Sequence, residues 1–390
     1  MRRALRTSAV LLVLLTCPSY AAAQQTVSDI IDVLVTNQAV QTGDFERDLA
    51  ASEAARDAIA RAMLVNLTSV PLASSSSGFL YRMNPQLGTM ERATGSFGGF
   101  FVERALTTGA GQASFGIAAS TRAFDRLGAL HLRDGSLVTV ANQFRDEAAP
   151  FDTEALTLRV RSRSLTAFGS LGITDRFEVG AALPFVHLTM DGQRLNVYRG
   201  APTLQASGEA SASGIGDAAL RAKYTLLATP QGAVAAAAEV RLPTGDEANL
   251  LGAGAAAYRV LAIGSFETGR LTLIGNGGLV FGGVSNEVNV AGAAAFAVQP
   301  QVTVSGELLV RRVADLSDIA LAPDAHPTIE GVDTVRLTAG QPGTTLATAV
   351  AGAKWNVSDT LVVGGHVSIP LVRRGLTAPL TPTLTLEYLF

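Results

Sequence analysis

The chain has 390 residues, of which 48% are hydrophobic and only 16% charged, with 39 glycines and a formal net charge of -3. The mean hydropathy is +0.29, yet past the first twenty or so positions no apolar run reaches the length of about 18 residues that a helical membrane span needs. The slightly acidic balance gives no electrostatic basis for binding nucleic acid, and high hydropathy without a helical span directs attention to strands.

Met1-Arg2-Arg3-Ala4-Leu5-Arg6, the apolar run Ala9 to Leu15 and Ala21-Ala22-Ala23 have the layout of a secretory signal peptide, with cleavage expected after Ala23. Cys17 is the single cysteine and lies inside that signal, so the mature chain is expected to carry no disulfide and no thiolate metal site. Residues 24–77 read as helical. Val27 to Val35 is a short apolar segment, and Thr42-Gly43-Asp44 is placed to cap a helix from Phe45 to about Leu67, with acids early and arginines later. Ser74 to Ser77 reads as a joint. The helical segment is expected either as a plug in a lumen or as a periplasmic extension.

From Gly78 onward the periodicity is two. In Asp217 to Leu226, Asp217, Arg221, Lys223 and Thr225 alternate with Ala218, Leu220, Ala222, Tyr224 and Leu226, which makes one polar and one apolar face. Strands are expected at 78–91, 97–107, 112–123, 154–171, 175–190, 214–228, 232–243, 250–264, 270–282, 287–299, 301–313, 345–357, 360–372 and 380–390. Short connections, such as those around Asp175, Pro230 and Pro300, alternate with longer polar ones at 124–153, 191–213, 243–249 and 314–344. That alternation is the signature of an outer-membrane barrel with tight periplasmic turns and larger external loops. Closure requires an even count, and admitting 78–91 as a strand gives about 14, with 12 as the alternative. The fold class is therefore all-β: a transmembrane antiparallel outer-membrane β-barrel over 78–390, preceded by a helical N-terminal segment. The last strand places Leu384, Leu386, Tyr388 and Phe390 on one face, resembling the assembly signal read by the barrel-assembly machinery, so that machinery and outer-membrane lipid are the expected partners.

If apolar faces meet lipid, the alternate residues line the lumen. The candidates are Arg159, Arg161 and Arg163, then Asp217, Arg221 and Lys223, then Glu239 and Arg241, and finally Glu307 and Arg311. Charges of both signs on neighbouring inward faces can pair across strands. Alternatively they polarise the passage toward anionic or polarised aromatic solutes, with Arg159 to Arg163 as the first place to look. His131, His187, His326 and His366 lack metal-ligand spacing. His366 and Ser368 share a strand face without a nucleophile elbow. No catalytic centre, metal or cofactor is expected.

Several motifs in order along the chain carry a family resemblance: Phe101-Val102-Glu103-Arg104-Ala105-Leu106, Leu171 to Gly180 with Leu183-Pro184-Phe185, Ser213-Gly214-Ile215-Gly216-Asp217, Arg241-Leu242-Pro243-Thr244-Gly245-Asp246 with Leu251-Gly252-Ala253-Gly254, and Gly352-Ala353-Lys354-Trp355. The chain resembles the outer-membrane transporter family associated with meta-pathway phenol degradation. The resemblance implies a barrel that passes small hydrophobic or aromatic compounds, similar in concept to the long-chain fatty acid transporter, whose N-terminal segment plugs its lumen. A general diffusion porin and a structural or adhesive surface barrel are the competing readings.

Overall fold

The computed structural model describes residues 25–36, 39–68, 81–84, 89–92, 95–358 and 360–390. The expected signal peptide and the Ser74 to Ser77 joint lie outside the described residues. Helix α1 spans Val27–Val35 and α2 spans Phe45–Thr68. Thr26 and Asp29 form a reciprocal capping box at the start of α1. Asp44 accepts the Arg47 backbone N–H at the start of α2 (3.2 Å), as its place before the helix led one to expect.

Strands β1 (Tyr81–Asn84) and β2 (Thr89–Arg92) pair with each other and with nothing else described. They are followed by β3 (Ala113–Phe124), β4 (Arg126–Leu127), β5 (Leu130–His131), β6 (Leu137–Phe144), β7 (Asp152–Gly172), β8 (Phe177–Tyr198) and β9 (Ala201–Ile215). Next come β10 (Ala219–Ala228), β11 (Gly232–Arg241), β12 (Ala257–Thr268), β13 (Leu271–Gly282), β14 (Glu287–Gln299) and β15 (Val302–Ala325). The chain closes with β16 (Val332–Ser358), β17 (Leu361–Pro370), β18 (Leu376–Thr377) and β19 (Thr381–Leu389). β9 and β10 are two parts of one barrel strand, since β8 pairs with β9 through 185–198 and with β10 through 177–182. β19 pairs with β3, which closes an antiparallel ring of 12 strands among the described residues.

The even count holds, and 12 is the number that the structure adopts. Two expected strands drop out together, which is why parity alone did not expose the error. Residues 78–91 contribute at most to the separate β1–β2 hairpin, and 97–107 are not a strand at all but lie inside the barrel. The expected strand at 250–264 begins later, at Ala257, because Leu250 and Leu251 are buried in the preceding loop.

The outer surface of the barrel is apolar. Leu165, Leu171, Leu183, Phe185, Leu220, Val260 and Leu273 are exposed there. Tyr224, Phe266, Phe296, Trp355 and Tyr388 are exposed toward the end that holds the tight turns, while Tyr258 pairs with Phe281 toward the other end. An apolar band between two aromatic levels is the arrangement of an outer-membrane barrel. The long expected loops 191–213 and 314–344 are largely strand: β8 and β9, and β15 and β16, continue past the band as hairpins turning at Arg199-Gly200 and at 326–331. Strands β17, β19 and β3 stop lower. Above them β6 pairs on one side with β16 and on the other with β7, so the wall is completed by a segment from the 124–153 connection.

Candidate functional site

Two structures close the lumen, one above the other. At the outer end, helices α1 and α2 pack against the inner faces of the extended strands. Ile30, Ile31, Leu34, Ile59 and Met63 share a core with Leu156, Leu158, Val160, Leu188, Met190, Leu316 and Leu337. Charged anchors fix the helices to the wall. Arg194 donates to the carbonyls of Leu34 (3.2 Å) and Thr36, and pairs with Glu154 (3.3 Å), which in turn accepts the Ala39 N–H (2.7 Å). Arg336 pairs with Asp48 and donates to the Arg47 carbonyl (3.1 Å).

That packing explains a correction. Arg159, Arg161 and Arg163 do not line the lumen; all three side chains face outward and are exposed. The Arg159 side chain, 67% exposed, lies 3.8 Å from Asp191. The assumption that apolar faces always point to lipid fails on the upper part of β7. There the inner neighbour is a pair of apolar helices and the outer neighbour is polar, so the two faces exchange character while the strand alternation stays in phase.

At the turn end, residues 95–108 fold across the lumen. Ser96 meets Thr272 (2.6 Å), and the Thr303 hydroxyl accepts the Phe97 N–H (3.1 Å), both low in the barrel. The segment rises to mid-barrel at Phe101 to Glu103 and descends again, where Thr107 and Thr108 donate to Asp175 and Glu178 (2.8 and 2.7 Å). The wall holds it through its backbone. Glu307 accepts the N–H groups of Phe100, Phe101 (3.0 Å) and Val102 (3.1 Å), and Lys354 donates to the carbonyls of Gly98 (2.9 Å) and Gly99 (2.7 Å). A Cβ on Gly99 would sit 2.9 Å from the Glu307 carboxylate and 3.1 Å from the Val102 carbonyl, so the close approach requires glycine there. Small wall residues make room: Ala233 and Ala235 are buried against Ala105, and Ala293 against Val102.

Side chains add a second tie. Arg221 pairs with Glu103 and with Glu239 (2.5 Å). Lys223 lies 3.3 Å from Glu178 and 3.7 Å from Glu103 and donates to the Arg104 carbonyl (3.3 Å). Arg221, Lys223, Glu239, Arg241, Glu307 and Arg311 point inward, and most of their capacity is committed to partners. The sequence reading missed Glu103, Glu178 and Lys354 as members of this network. The Gly98-Gly99 pair, which interrupts an otherwise apolar stretch, was the available sign that 97–107 is not a regular strand.

Asp217 also points inward, with a structural task at the rim. Its carboxylate accepts the N–H groups of Gly245 (3.1 Å) and Ala253 (2.8 Å), while Thr244 donates to the Gly216 carbonyl (2.7 Å). The glycine motifs of this hairpin therefore bind the 243–254 loop to the strand end. His366 is buried in the lower lumen, against the rings of Phe100 (4.3 Å) and Phe101 (5.0 Å). Among the described residues no group of three or more His, Cys, Asp or Glu could hold a metal.

Between the two closures a cavity of about 260 Å³ remains. Val65, Asn66 and Thr68 from the end of α2 form its ceiling, Phe101 and Asn276 its floor, and the upper inner faces of the strands from β11 to β15 much of its side.

An antiparallel 12-strand barrel with an apolar outer band, its lumen occupied by helices above and by an irregular segment below, has the architecture of an outer-membrane barrel. The resemblance read from the motifs is borne out over part of the chain: residues 135–318 match the family model described as "Putative MetA-pathway of phenol degradation". A search of curated proteins finds no match. Among solved structures, the chain is similar to an outer membrane channel from Pseudomonas putida F1, with 12% identity and a TM-score of 0.49 over 73% of this chain and 98% of that one. It is also similar to the TodX deltaS2S3 mutant monoaromatic hydrocarbon channel, with 10% identity and a TM-score of 0.35 over 82% of this chain and 96% of that one. The KdgM porin gives 8% identity and a TM-score of 0.35 over 61% and 96%. Likenesses this distant say nothing about substrate.

Proposed function

We propose that the protein is an outer-membrane transporter that admits small hydrophobic or aromatic solutes by way of the mid-lumen cavity, without an energy source. The observation that carries this reading is the cavity itself, about 260 Å³ of mainly apolar-lined space between the helices and the bound inner segment. About 150 Å³ of apolar cavity suffices for benzene, so the space suits a single ring with a small substituent. A diffusion porin would keep a continuous wet lumen instead. In this reading the helices of the 24–77 segment act as the outer stopper, residues 95–108 as the inner plug, and passage requires each to yield in turn. Residues 1–23 direct export, and the amphipathic strand β19 is presented to the barrel-assembly machinery.

The test is uptake. Liposomes containing the full-length protein are expected to accumulate labelled single-ring aromatics faster than protein-free liposomes, while planar bilayers with the same protein show no steady open conductance. Equal uptake with and without protein would overturn transport. A large constant conductance would favour the diffusion porin.

A further inference from the structure

The cavity is not purely apolar, and its charges do not cancel. Its wall carries five arginines, at 122, 241, 259, 311 and 374, against three carboxylates, at 217, 239 and 287. The carboxylates are already engaged. Asp217 holds two backbone N–H groups of the rim loop. Glu239 accepts from Arg221 and from Arg241 (3.1 Å), and Glu287 lies 3.5 Å from Arg311. Arg374 pairs with Asp318 (3.4 Å), behind the cavity.

Arg122 and Arg259 stand apart from this pairing. Among the described residues neither has a carboxylate within 4.0 Å, whereas the other three arginines each have one. Arg259 donates to the Asn289 amide oxygen (3.2 Å) and leaves its buried Nε without an acceptor. Arg122 lies within electrostatic reach of Arg311, a like charge with which it shares the cavity wall. Arg259 has counter-charges in reach, since Glu239, its cross-strand neighbour, and Glu287 both attract it. Arg122 has the like charge of Arg311 instead, and a guanidinium does not escape such a place by losing its proton. An arrangement of this kind is relieved by a small anion placed beside the guanidinium groups of Arg122 and Arg311. The planar fork of arginine matches the two oxygens of a carboxylate, and the apolar remainder of the wall, with Phe101 and Phe124 among it, suits a hydrocarbon body.

We propose that the cavity selects organic anions, with Arg122, backed by Arg311, receiving the carboxylate of a single-ring or short-chain acid whose apolar body packs on Phe101 and Phe124. This rests on the transporter reading and narrows it, from hydrophobic or aromatic solutes in general to amphipathic acids. The cavity arginines thereby take the selective role that the sequence suggested for Arg159 to Arg163, from the opposite face of the wall.

The experiment compares two probes of nearly the same shape, benzoate and benzamide, by equilibrium binding to the full-length protein in detergent at pH 7. Benzoate is expected to bind at least about tenfold more tightly, about 1.4 kcal/mol. Arg122→Gln is expected to erase most of that preference, weakening benzoate binding by more than it changes benzamide binding. Equal affinities in the unmodified protein, or no benzoate binding at all, would overturn the proposal without any variant, so a misfolded variant does not protect it. A preference that survives Arg122→Gln would overturn it too. Loss of the preference leaves uptake of neutral aromatics standing, whereas absent uptake with the preference intact removes transport and keeps the anion site.

Discussion

The two closures of the lumen are built on different physics. The outer one is a hydrophobic core: two amphipathic helices bury Ile30, Leu34, Ile59 and Met63 against strand faces that are apolar only because the helices are there. The inner one is an irregular segment whose backbone is held by charged side chains of the wall, chiefly Glu307 and Lys354, with Arg221 and Lys223 tying Glu103. Apolar packing is non-directional and tolerates sliding and repacking. Backbone groups matched to fixed charges tolerate neither, since each displaced N–H or carboxylate is left unpaired in a place water reaches poorly. The difference suggests that the outer stopper yields gradually and the inner plug by an all-or-none release.

The largest effect is expected from attacking the inner plug at its main acceptor. Glu307→Ala strips three N–H groups of their acceptor and leaves a buried cation, Lys354, with one carboxylate fewer nearby. Removing one member of a buried charge network costs about 3–5 kcal/mol, so the segment should leave its site and planar bilayers should show steady conductance where the parent is closed. Glu307→Gln keeps one acceptor oxygen and should fall between the two. A closed Glu307→Ala channel would mean that the side-chain ties through Glu103 are enough by themselves.

A smaller effect is expected at the outer stopper. Leu34→Ala removes a fully buried side chain from the helix core, for a cost of about 2–5 kcal/mol depending on how far the site collapses. Hydrogen exchange in α1 should accelerate, but conductance should remain low because the inner plug is untouched. Open conductance in Leu34→Ala would show that the closures are coupled and not independent.

Salt separates the two more gently. Raising the ionic strength from about 0.1 to 1 M shortens the screening length from about 10 to 3 Å. The exposed pairs Arg47–Asp324 and Arg145–Asp333 should weaken, while the inner network, with side chains of Arg221, Lys223, Glu103 and Glu178 no more than 8% exposed, should not. Protection from exchange should therefore fall slightly at the outer mouth and stay unchanged at residues 95–108.

The barrel was legible in the chain because lipid imposes one rule on every strand: period two, an apolar outer face and alternating turn lengths. β11, β13 and β14 lie almost where that rule puts them. The rule fails in the two places where lipid is not the neighbour. Above the apolar band, Arg159 to Arg163 face outward because helices occupy the inside. Within the lumen, Phe97 to Leu106 is as apolar as a strand but meets other strands' inner faces and not lipid. Composition records that a residue is buried and not by what. The site suffered accordingly. The inward charges on β10, β11 and β15 were legible from alternation. The standing of Arg122 was not, since nothing in its own strand tells which inward cation meets a like charge; that depends on what faces it across the lumen.

The smallest effect is expected at the first turn of α1, and it tests whether the outer stopper depends on helix integrity as well as on packing. The Thr26 hydroxyl accepts the Asp29 N–H (3.1 Å) and the Asp29 carboxylate accepts the Thr26 N–H (2.8 Å). The second of these bonds, to the backbone, is the main cause holding the Asp29 carboxyl below the usual carboxylate range. A carboxyl whose folded value is depressed adds stability that is present above its unfolded pKa, about 3.9, and is lost as pH falls through the folded value. Protection factors of the α1 amides should therefore hold from neutral pH down to about pH 4 and decline below it. In Thr26→Ala, which costs about 1 kcal/mol, they should be lower at every pH. Since Ser28 also donates to the Ala248 carbonyl of the 243–249 loop (3.0 Å), fraying of this turn should extend to that loop if helix and rim act as one unit. Unchanged protection at Leu250 and Leu251 in Thr26→Ala would show that apolar packing alone holds the stopper in the mouth.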